Sequence, residues 1–238
     1  MARENVRIGE AAKILGVSIQ TLRNWEKSGR LPARRSEGGQ RFYAREDLER
    51  FSIDLKKLGW AWASSAQPPD LPDIYHCERH DRFTTRLEKM GQALLRCVPE
   101  ETASLLTLVA GEIGDNSFAH NVGSWPDAAG VFYAYDTGKR LIVLADRGRG
   151  VRATLRQVRP DLASDTDALR VAFTEIVSGR NPEKRGNGLK VVRGIAESRA
   201  IGLLFRSGLG IARISKDGGM RIEMADGNVR GAYAVVTF

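Results

Sequence analysis

The chain of 238 residues has only two cysteines, Cys77 and Cys97, and no long continuous apolar run. A membrane-spanning helix needs about 20 consecutive apolar residues, so we expect no membrane partner. Two cysteines cannot build the disulfide framework of a small secreted protein, which favours a reducing compartment. The first residues, Met-Ala-Arg-Glu-Asn-Val, lack the apolar core of a signal peptide. Together these absences predict a cytoplasmic protein.

Basic charge is concentrated in the first quarter of the chain. The net charge is +8, and residues 1–66 contain thirteen Lys and Arg against eight Asp and Glu, which leaves +5 in that segment alone. This imbalance indicates a polyanionic partner for the N-terminal part, although a solvated basic surface would have the same composition.

The first fifty residues have the pattern of a winged helix-turn-helix. Apolar residues at helical spacing over residues 6–16 predict one helix, which stops at Gly16. Ser18 is a suitable N-cap for a second helix from Ile19 to Lys27. Two short extended runs around Gly38-Gly39 then predict a β-hairpin wing over residues 33–43.

Residues 6–51 resemble the winged helix-turn-helix of the MerR family. The similarity lies in the run Ile-Gly-Glu-Ala-Ala-Lys-Ile-Leu-Gly-Val-Ser-Ile-Gln-Thr-Leu-Arg-Asn-Trp-Glu from Ile8, and in the wing Glu-Gly-Gly-Gln-Arg-Phe-Tyr. The resemblance implies binding to double-stranded DNA. It places Gln20, Thr21, Arg23 and Asn24 in the major groove and Arg34, Arg35, Arg41 and Tyr43 on backbone phosphates.

The segment after the wing departs from the MerR activators, which have a long dimerisation helix there. This chain has only a short helical pattern near residues 45–60. We expect a monomer to bind DNA weakly and with strong salt dependence, so a homodimer or an array of copies on DNA remains an alternative.

Residues 64–73, rich in proline, serine and aspartate, are the clearest linker pattern of the chain. We therefore predict a DNA-binding domain over residues 1–63, a linker over 64–77 and a second domain over 78–238. In the second domain the pattern predicts helices, two strand-like runs at 131–135 and 141–144, and a C-terminus made entirely of strands.

Three short strings in the second domain have the order of a nucleotide site. The first is Glu112-Ile-Gly-Asp-Asn116 on a predicted helix, where the two outer residues project from one face. An amide oxygen at Asn116 is a suitable Mg²⁺ ligand, and a carboxylate one turn earlier can act as a general base. An exposed acid and amide on a helix surface would give the same string. If the string is a metal site, Mg²⁺ is the only metal we expect there.

The second string, Asp146-Arg-Gly148-Arg-Gly150, follows a buried strand, so the aspartate could accept from the exocyclic amine of adenine. The third string, Gly186-Asn-Gly188-Leu189, precedes an apolar helix, whose free N-terminal amides attract phosphate. Its spacing is not that of a Walker P-loop, which the sequence lacks.

Residues from about 100 to 238 resemble the GHKL ATPases, such as DNA gyrase, heat-shock chaperones and histidine kinases. The resemblance implies a Bergerat fold that binds ATP and Mg²⁺, with Glu112 as catalytic base, Asn116 at magnesium and Asp146 at adenine. It places a lid at about 151–185 between the last two strings, and His120 at a basic position at the end of the first helix. Where the family often has Gly-Thr before the last strand, this chain has Gly231-Ala232.

The sequence therefore predicts an α+β protein, a small winged helix-turn-helix followed by an α/β sandwich of the Bergerat type. The predicted function is a DNA-binding transcriptional regulator whose C-terminal domain binds Mg·ATP as a switch or hydrolyses it. The alternatives left open are an anti-sigma-type kinase acting on serine or histidine, and an ATPase that acts on a partner protein. Whether the protein is an enzyme is not decided by these residues.

Overall fold

The computed structural model describes residues 4–15, 17–29, 31–36, 38–175 and 188–238. The chain divides into two compact units, Met1–Asp54 with Thr137–Lys139, and Leu55–Asp136 with Arg140–Phe238. Across these described ranges, no helix combines the length and the apolar character that a membrane crossing requires.

In its described part, the first unit contains three helices and a small antiparallel sheet. Its elements are β1 (Asn5–Arg7), α1 (Ile8–Leu15), α2 (Ile19–Lys27), β2 (Arg34–Arg35), β3 (Arg41–Ala44) and α3 (Arg45–Ser52). The sheet has the strand order β1-β3-β2. The prediction of two helices followed by a β-hairpin is confirmed, except that the start of the first predicted helix is the strand β1.

Local sequence explains where α2 begins and what it buries. The Ser18 hydroxyl accepts a hydrogen bond of 3.0 Å from the backbone N–H of Thr21, which satisfies a donor that the first helical turn leaves free. Leu22 then lies fully buried in a core formed with Ala11, Tyr43 and Leu48. This core fixes which face of α2 remains exposed.

The second unit is built on a five-stranded sheet and six helices among its described residues. Its helices are α4 (Leu55–Ser64), α5 (His80–Leu94), α6 (Glu100–Asn121), α7 (Gly150–Leu155), α8 (Asp165–Thr174) and α9 (Gly188–Ser198). Its strands are β4 (His76–Cys77), β5 (Val131–Asp136), β6 (Leu141–Asp146), β7 (Gly202–Ile214) and β8 (Met220–Thr237). The strand order is β4-β5-β6-β8-β7, and every neighbouring pair is antiparallel.

The two faces of this sheet bury different side chains because residues alternate along a strand. Tyr133 and Ile142 face the main core, to which α5, α6, α8 and α9 contribute. Their neighbours Phe132 and Val143 are equally buried but face α4. The central strands are therefore covered on both sides, which explains why Leu141–Asp146 is a continuous apolar run ending in one acid.

Helix α4 belongs to the second unit, although we expected residues 1–63 to form the DNA-binding domain. A Cβ atom at Gly59 would lie 2.7 Å from Val143 Cγ1, so the glycine lets α4 lie directly on β6. The Tyr233 hydroxyl of β8 donates to the Lys56 carbonyl at 3.1 Å, and Trp60 makes an edge contact with the same ring. The division between the units thus comes after Asp54, before the predicted boundary.

The predicted linker and lid also contain ordered structure. Within residues 64–77, Tyr75 is buried and His76–Cys77 pairs with β5 as strand β4. The described part of the predicted lid, residues 151–175, includes helix α8 and most of α7. The C-terminus, predicted to consist entirely of strands, forms two long strands, because the ladder between β7 and β8 continues through irregularities near Gly208.

Candidate functional site

Asp146 lies at the end of β6 with its carboxylate buried and hydrogen-bonded. Its Oδ2 accepts from the Ser117 hydroxyl of α6 at 2.7 Å, and its Oδ1 accepts from the Gly148 N–H at 2.8 Å. Burial raises the pKa of Asp146 to about 6, while hydrogen bonds from Ser117 and from the N–H groups of Gly148 and Ala232 act in the opposite direction. Three donors leave capacity for another, since an ionised carboxylate has about four acceptor positions.

The first and third strings meet next to this aspartate. Glu112 and Asn116 lie half-buried on α6, and Asn116 precedes the serine that binds Asp146. Gly188 begins α9 beside them, since a Cβ atom there would lie 2.6 Å from Glu112 Oε2 and 3.1 Å from Asn116 Nδ2. The structure therefore places residues from all three strings around one region of α6.

Some predicted residues lie outside the described residues or away from this region. Gly186 lies outside the described residues. Leu189 packs against the main core from α9, which gives it a structural role in positioning Gly188. His120 is exposed near the end of α6.

Asn121 is a site residue that sequence reasoning missed. It is buried, its Nδ2 donates to the Ser117 carbonyl, and its Oδ1 accepts from the Arg149 N–H at 2.9 Å. It also packs so closely on Gly148 that a Cβ at that glycine would collide with the amide. The available signal is the spacing of Ile113, Ser117 and Asn121, which puts two polar side chains on a buried helix face.

The last strand supplies the other wall of the loop after Asp146. Gly231 has φ of +57°, and a Cβ there would collide with Asp146 Oδ1. The Ser207 hydroxyl of β7 donates to the Gly231 carbonyl at 2.7 Å and accepts from the Val151 N–H at 2.9 Å. The pair Gly231-Ala232 therefore contacts the aspartate through backbone, so this contact does not require a threonine hydroxyl.

Arg147 is fully buried and points to α4. It lies between Asp146 and Gly148 in the second string. Its guanidinium donates to the carbonyls of Trp62 and Ser65. It also forms a bidentate ion pair with Asp127, from Nε to Oδ1 at 3.1 Å and from Nη2 to Oδ2 at 2.6 Å. These hydrogen bonds satisfy a buried charge that would otherwise be costly. The loop after Asp146 is thereby attached to the C-terminal end of α4.

In the first unit, the predicted base-contacting residues lie on α2. Gln20, Arg23 and Asn24 are exposed, and Gln20 donates to the Asn24 side chain at 3.1 Å. Thr21 is half-buried, and its hydroxyl is hydrogen-bonded to the capping Ser18. Three of the four residues therefore have accessible side chains on one helix.

The predicted phosphate contacts are less uniform. Arg34 is exposed, whereas Arg35 and Arg41 both form ion pairs with Glu26 of α2, at 2.9 Å in the case of Arg35. Hydrogen bonds from Arg41 and then Arg35 lower the pKa of Glu26. Tyr43 is only 2% exposed, so we correct its assignment from phosphate contact to core. Its ring faces the first unit's apolar cluster because alternate β3 side chains point inward.

Comparison with known proteins supports this arrangement of helices and wing. The model of the MerR family regulatory proteins matches residues 7–43. Residues 7–43 form a MerR-type helix-turn-helix region. This MerR-type region contains α1, α2 and the wing. All of the predicted base- and phosphate-contacting residues lie within it.

Curated relatives match over part of the chain. A probable heavy metal-dependent transcriptional regulator of Haemophilus influenzae is 48% identical over 71 residues, 29% of this chain and 56% of that protein. The nodulation protein NolA of Bradyrhizobium elkanii is 45% identical over 62 residues, 25% of this chain and 28% of NolA. The type II methyltransferase M.Eco47II of Escherichia coli is 44% identical over 52 residues, 21% of this chain and 12% of that enzyme. No solved structure matches the chain.

Proposed function

We propose that the protein is a transcriptional regulator that binds double-stranded DNA through its MerR-type region and ATP through its second unit. The exposed Gln20, Arg23 and Asn24 on one helix support the DNA part, because long polar side chains on a helix can read base edges in the major groove. Arg34, with the Arg35 and Arg41 pair of the wing, supplies positive charge for backbone phosphates.

The observation that carries the ATP part is the hydrogen bond between Ser117 and Asp146. It joins the helix of Glu112 and Asn116 to the end of β6, as a nucleotide site with those strings requires. Asp146 would accept from the adenine amine, and Asn116 would hold Mg²⁺ through its amide oxygen. Bound Mg²⁺ would supply charge neutralisation at the phosphates, and Glu112 would hold or move a proton there. We also propose that the second unit has the Bergerat fold, because the same hydrogen bond joins the strings that this fold would bring together.

Calorimetric titration of the full chain with ATP and ADP, with and without Mg²⁺, tests the ATP site. We expect Asp146→Asn to weaken ATP binding at least about tenfold, since an amide that donates toward the adenine amine replaces an acceptor. Asp217→Asn, in an exposed turn, is the matched control. Wild-type affinity in Asp146→Asn would exclude this site.

Incubation of the protein with γ-labelled ATP and tracing of the label show whether the bound nucleotide reacts. Label on a partner protein indicates a kinase, free phosphate indicates an ATPase, and neither indicates a switch. We expect Glu112→Ala to keep ATP binding and to lose whichever reaction is observed, because the general base and the adenine contact are separate side chains.

Selection of bound sequences from a random duplex library tests the DNA part. The full-length wild type should enrich one sequence motif, and Arg23→Gln should relax that motif, because an arginine contact to a base edge contributes about 1–3 kcal/mol of discrimination. Arg50→Gln removes the same charge from exposed α3 and should keep the motif. Identical selections from Arg23→Gln and wild type would exclude α2 as the base-reading helix.

A link between the two activities is part of the proposal. Arg147 attaches the Asp146 loop to the end of α4, the helix that follows the first unit in sequence. ATP at Asp146 would change the conformations open to this loop, and hence DNA affinity, as a population shift. Equal DNA affinity with and without ATP would remove the link and leave both binding sites standing.

A further inference from the structure

A second basic surface lies in the second unit, next to the loop that follows Asp146. It is a cleft of about 430 Å³ between the α7 segment, the start of α8, the irregular part of β7, and β8. Ser207, Gly208 and residues 228–231 form the strand side. Gly148 and Gly150 of the second string line it, but Glu112, Asn116, Asp146 and Gly188 do not, so the cleft adjoins the proposed ATP site without containing its adenine, magnesium and general-base side chains.

The charge of this cleft is strongly one-sided. Of the residues that the structure describes, five arginines line it, against one carboxylate, Asp165, which already accepts a hydrogen bond from the Leu209 N–H. The arginines are Arg147, Arg149, Arg152, Arg156 and Arg230. With Arg147 buried on Asp127, we call the other four the cleft arginines.

The cleft arginines are largely available to a ligand. Arg149 and Arg156 are exposed and form no ion pair with another described residue. Among the described residues, Arg152 donates to the neutral Leu162 carbonyl, at 3.3 Å, and to no carboxylate. Arg230 is 3.5 Å from an Asp127 oxygen that Arg147 holds more closely. The carboxylates within the described ranges therefore do not neutralise the surface.

The lining favours phosphate over an apolar small molecule. Small-molecule pockets are lined mainly by apolar and aromatic side chains, whereas here Pro126, Ala153 and Val229 are the apolar residues. The guanidinium group matches phosphate oxygens in a bidentate manner, and it keeps its charge at all physiological pH values. Exposed arginines spread over several elements are typical of a surface that binds a polyanion.

We propose that the cleft arginines bind the phosphate backbone of duplex DNA, as a second contact besides the MerR-type region. This inference rests on the proposed DNA binding. It supplies what a single small winged helix lacks, since additional phosphate contacts raise affinity without adding sequence preference. Two linked contacts on one duplex also raise the effective concentration of each.

The test compares two double variants of the full chain that lose the same charge. Arg149→Gln/Arg156→Gln removes two cleft arginines, and Arg96→Gln/Arg221→Gln removes two exposed arginines that do not line the cleft. Binding to a labelled mixed-sequence duplex of about 30 base pairs is measured across a salt series, because each phosphate contact contributes about 0.9 to the salt slope. Matched circular dichroism and melting temperature establish that both variants fold.

We expect the cleft variant to bind roughly tenfold more weakly at 0.1 M salt, with a salt slope smaller by about 2. The control should remain near wild type. Equal slopes for the two variants would overturn the proposal, as would a loss of tripolyphosphate binding with unchanged DNA binding, which would assign the cleft to a free phosphate ligand. Arg23→Gln, measured in parallel for selected sequences, shows separately whether DNA binding by the MerR-type region holds.

Discussion

The Ser117 hydroxyl donates a hydrogen bond of 2.7 Å to Asp146 Oδ2, and both side chains are buried. Replacement by Ser117→Ala leaves a buried carboxylate with one donor fewer, which we expect to cost about 2 kcal/mol in the free energy of unfolding. Urea unfolding measures this cost. Ser104→Ala, exposed on the same helix, is the control and should change little. ATP affinity should fall with Ser117→Ala but not with Ser104→Ala, because the Asp146 carboxylate then loses the hydrogen bond that orients it toward adenine.

Asp146 should make stability depend on pH in an unusual direction for a carboxylate. Burial raises its pKa from 3.8 to about 6, so the folded protein takes up a proton that the unfolded chain releases. The stabilisation is fully present below about pH 4 and is lost as the pH rises through about 6.

Urea unfolding of wild type and Asp146→Asn between about pH 4 and 7 measures this effect. Relative to the variant, the wild type should lose roughly 2–3 kcal/mol over that range, because one pKa unit corresponds to about 1.4 kcal/mol. A constant difference between the two proteins across the range would show that Asp146 titrates near its ordinary value.

Alanine substitutions at two glycines of β8 distinguish the effect of backbone strain from that of a steric clash of the added Cβ atom. Gly227 and Gly231 both have positive φ, but a Cβ at Gly227 meets open space, whereas one at Gly231 meets Asp146 and Gly148. We expect Gly227→Ala to cost about 1–2 kcal/mol, the strain of a left-handed alanine. Gly231→Ala should cost more and should weaken ATP binding. Equal melting temperatures for the two variants would contradict this difference.

Truncated proteins test where the second unit begins. A protein of residues 55–238 keeps α4 on the sheet, and we expect it to melt cooperatively and to remain monodisperse in size-exclusion chromatography. A protein of residues 64–238 loses that cover and exposes Phe132 and Val143, which are fully buried in the whole chain. Since large exposed apolar patches drive association, we expect it to aggregate. Identical behaviour of the two would show that α4 is dispensable.

The parts of the fold with strong local signals could be predicted from the sequence. Strands β5 and β6 begin at the predicted residues and end within two residues of the predicted ends, because their apolar runs are continuous. The Ser18 cap of α2 is likewise local and is present as expected. The MerR-type region was recognisable because its motif covers consecutive residues.

Features that depend on distant contacts could not be predicted. The sequence of α4 gives an amphipathic helix but not the sheet that it covers, and the proline-rich stretch after it favoured a later boundary. Arg147 has the sequence context of an exposed loop, and only the carbonyls of Trp62 and Ser65 explain its burial. Tyr43 lies in a wing pattern, and only the first unit's core shows that its ring points inward.

The Glu26 carboxylate competes with any bound anion for two arginines of the wing. Its carboxylate is shared by Arg35 and Arg41, so both guanidinium groups are oriented toward α2 before any ligand arrives. An incoming anion must displace this carboxylate, which disfavours dilute single ions more than a polymer that presents several charges at once. One acidic side chain can in this way reduce the occupation of the wing by small cellular anions.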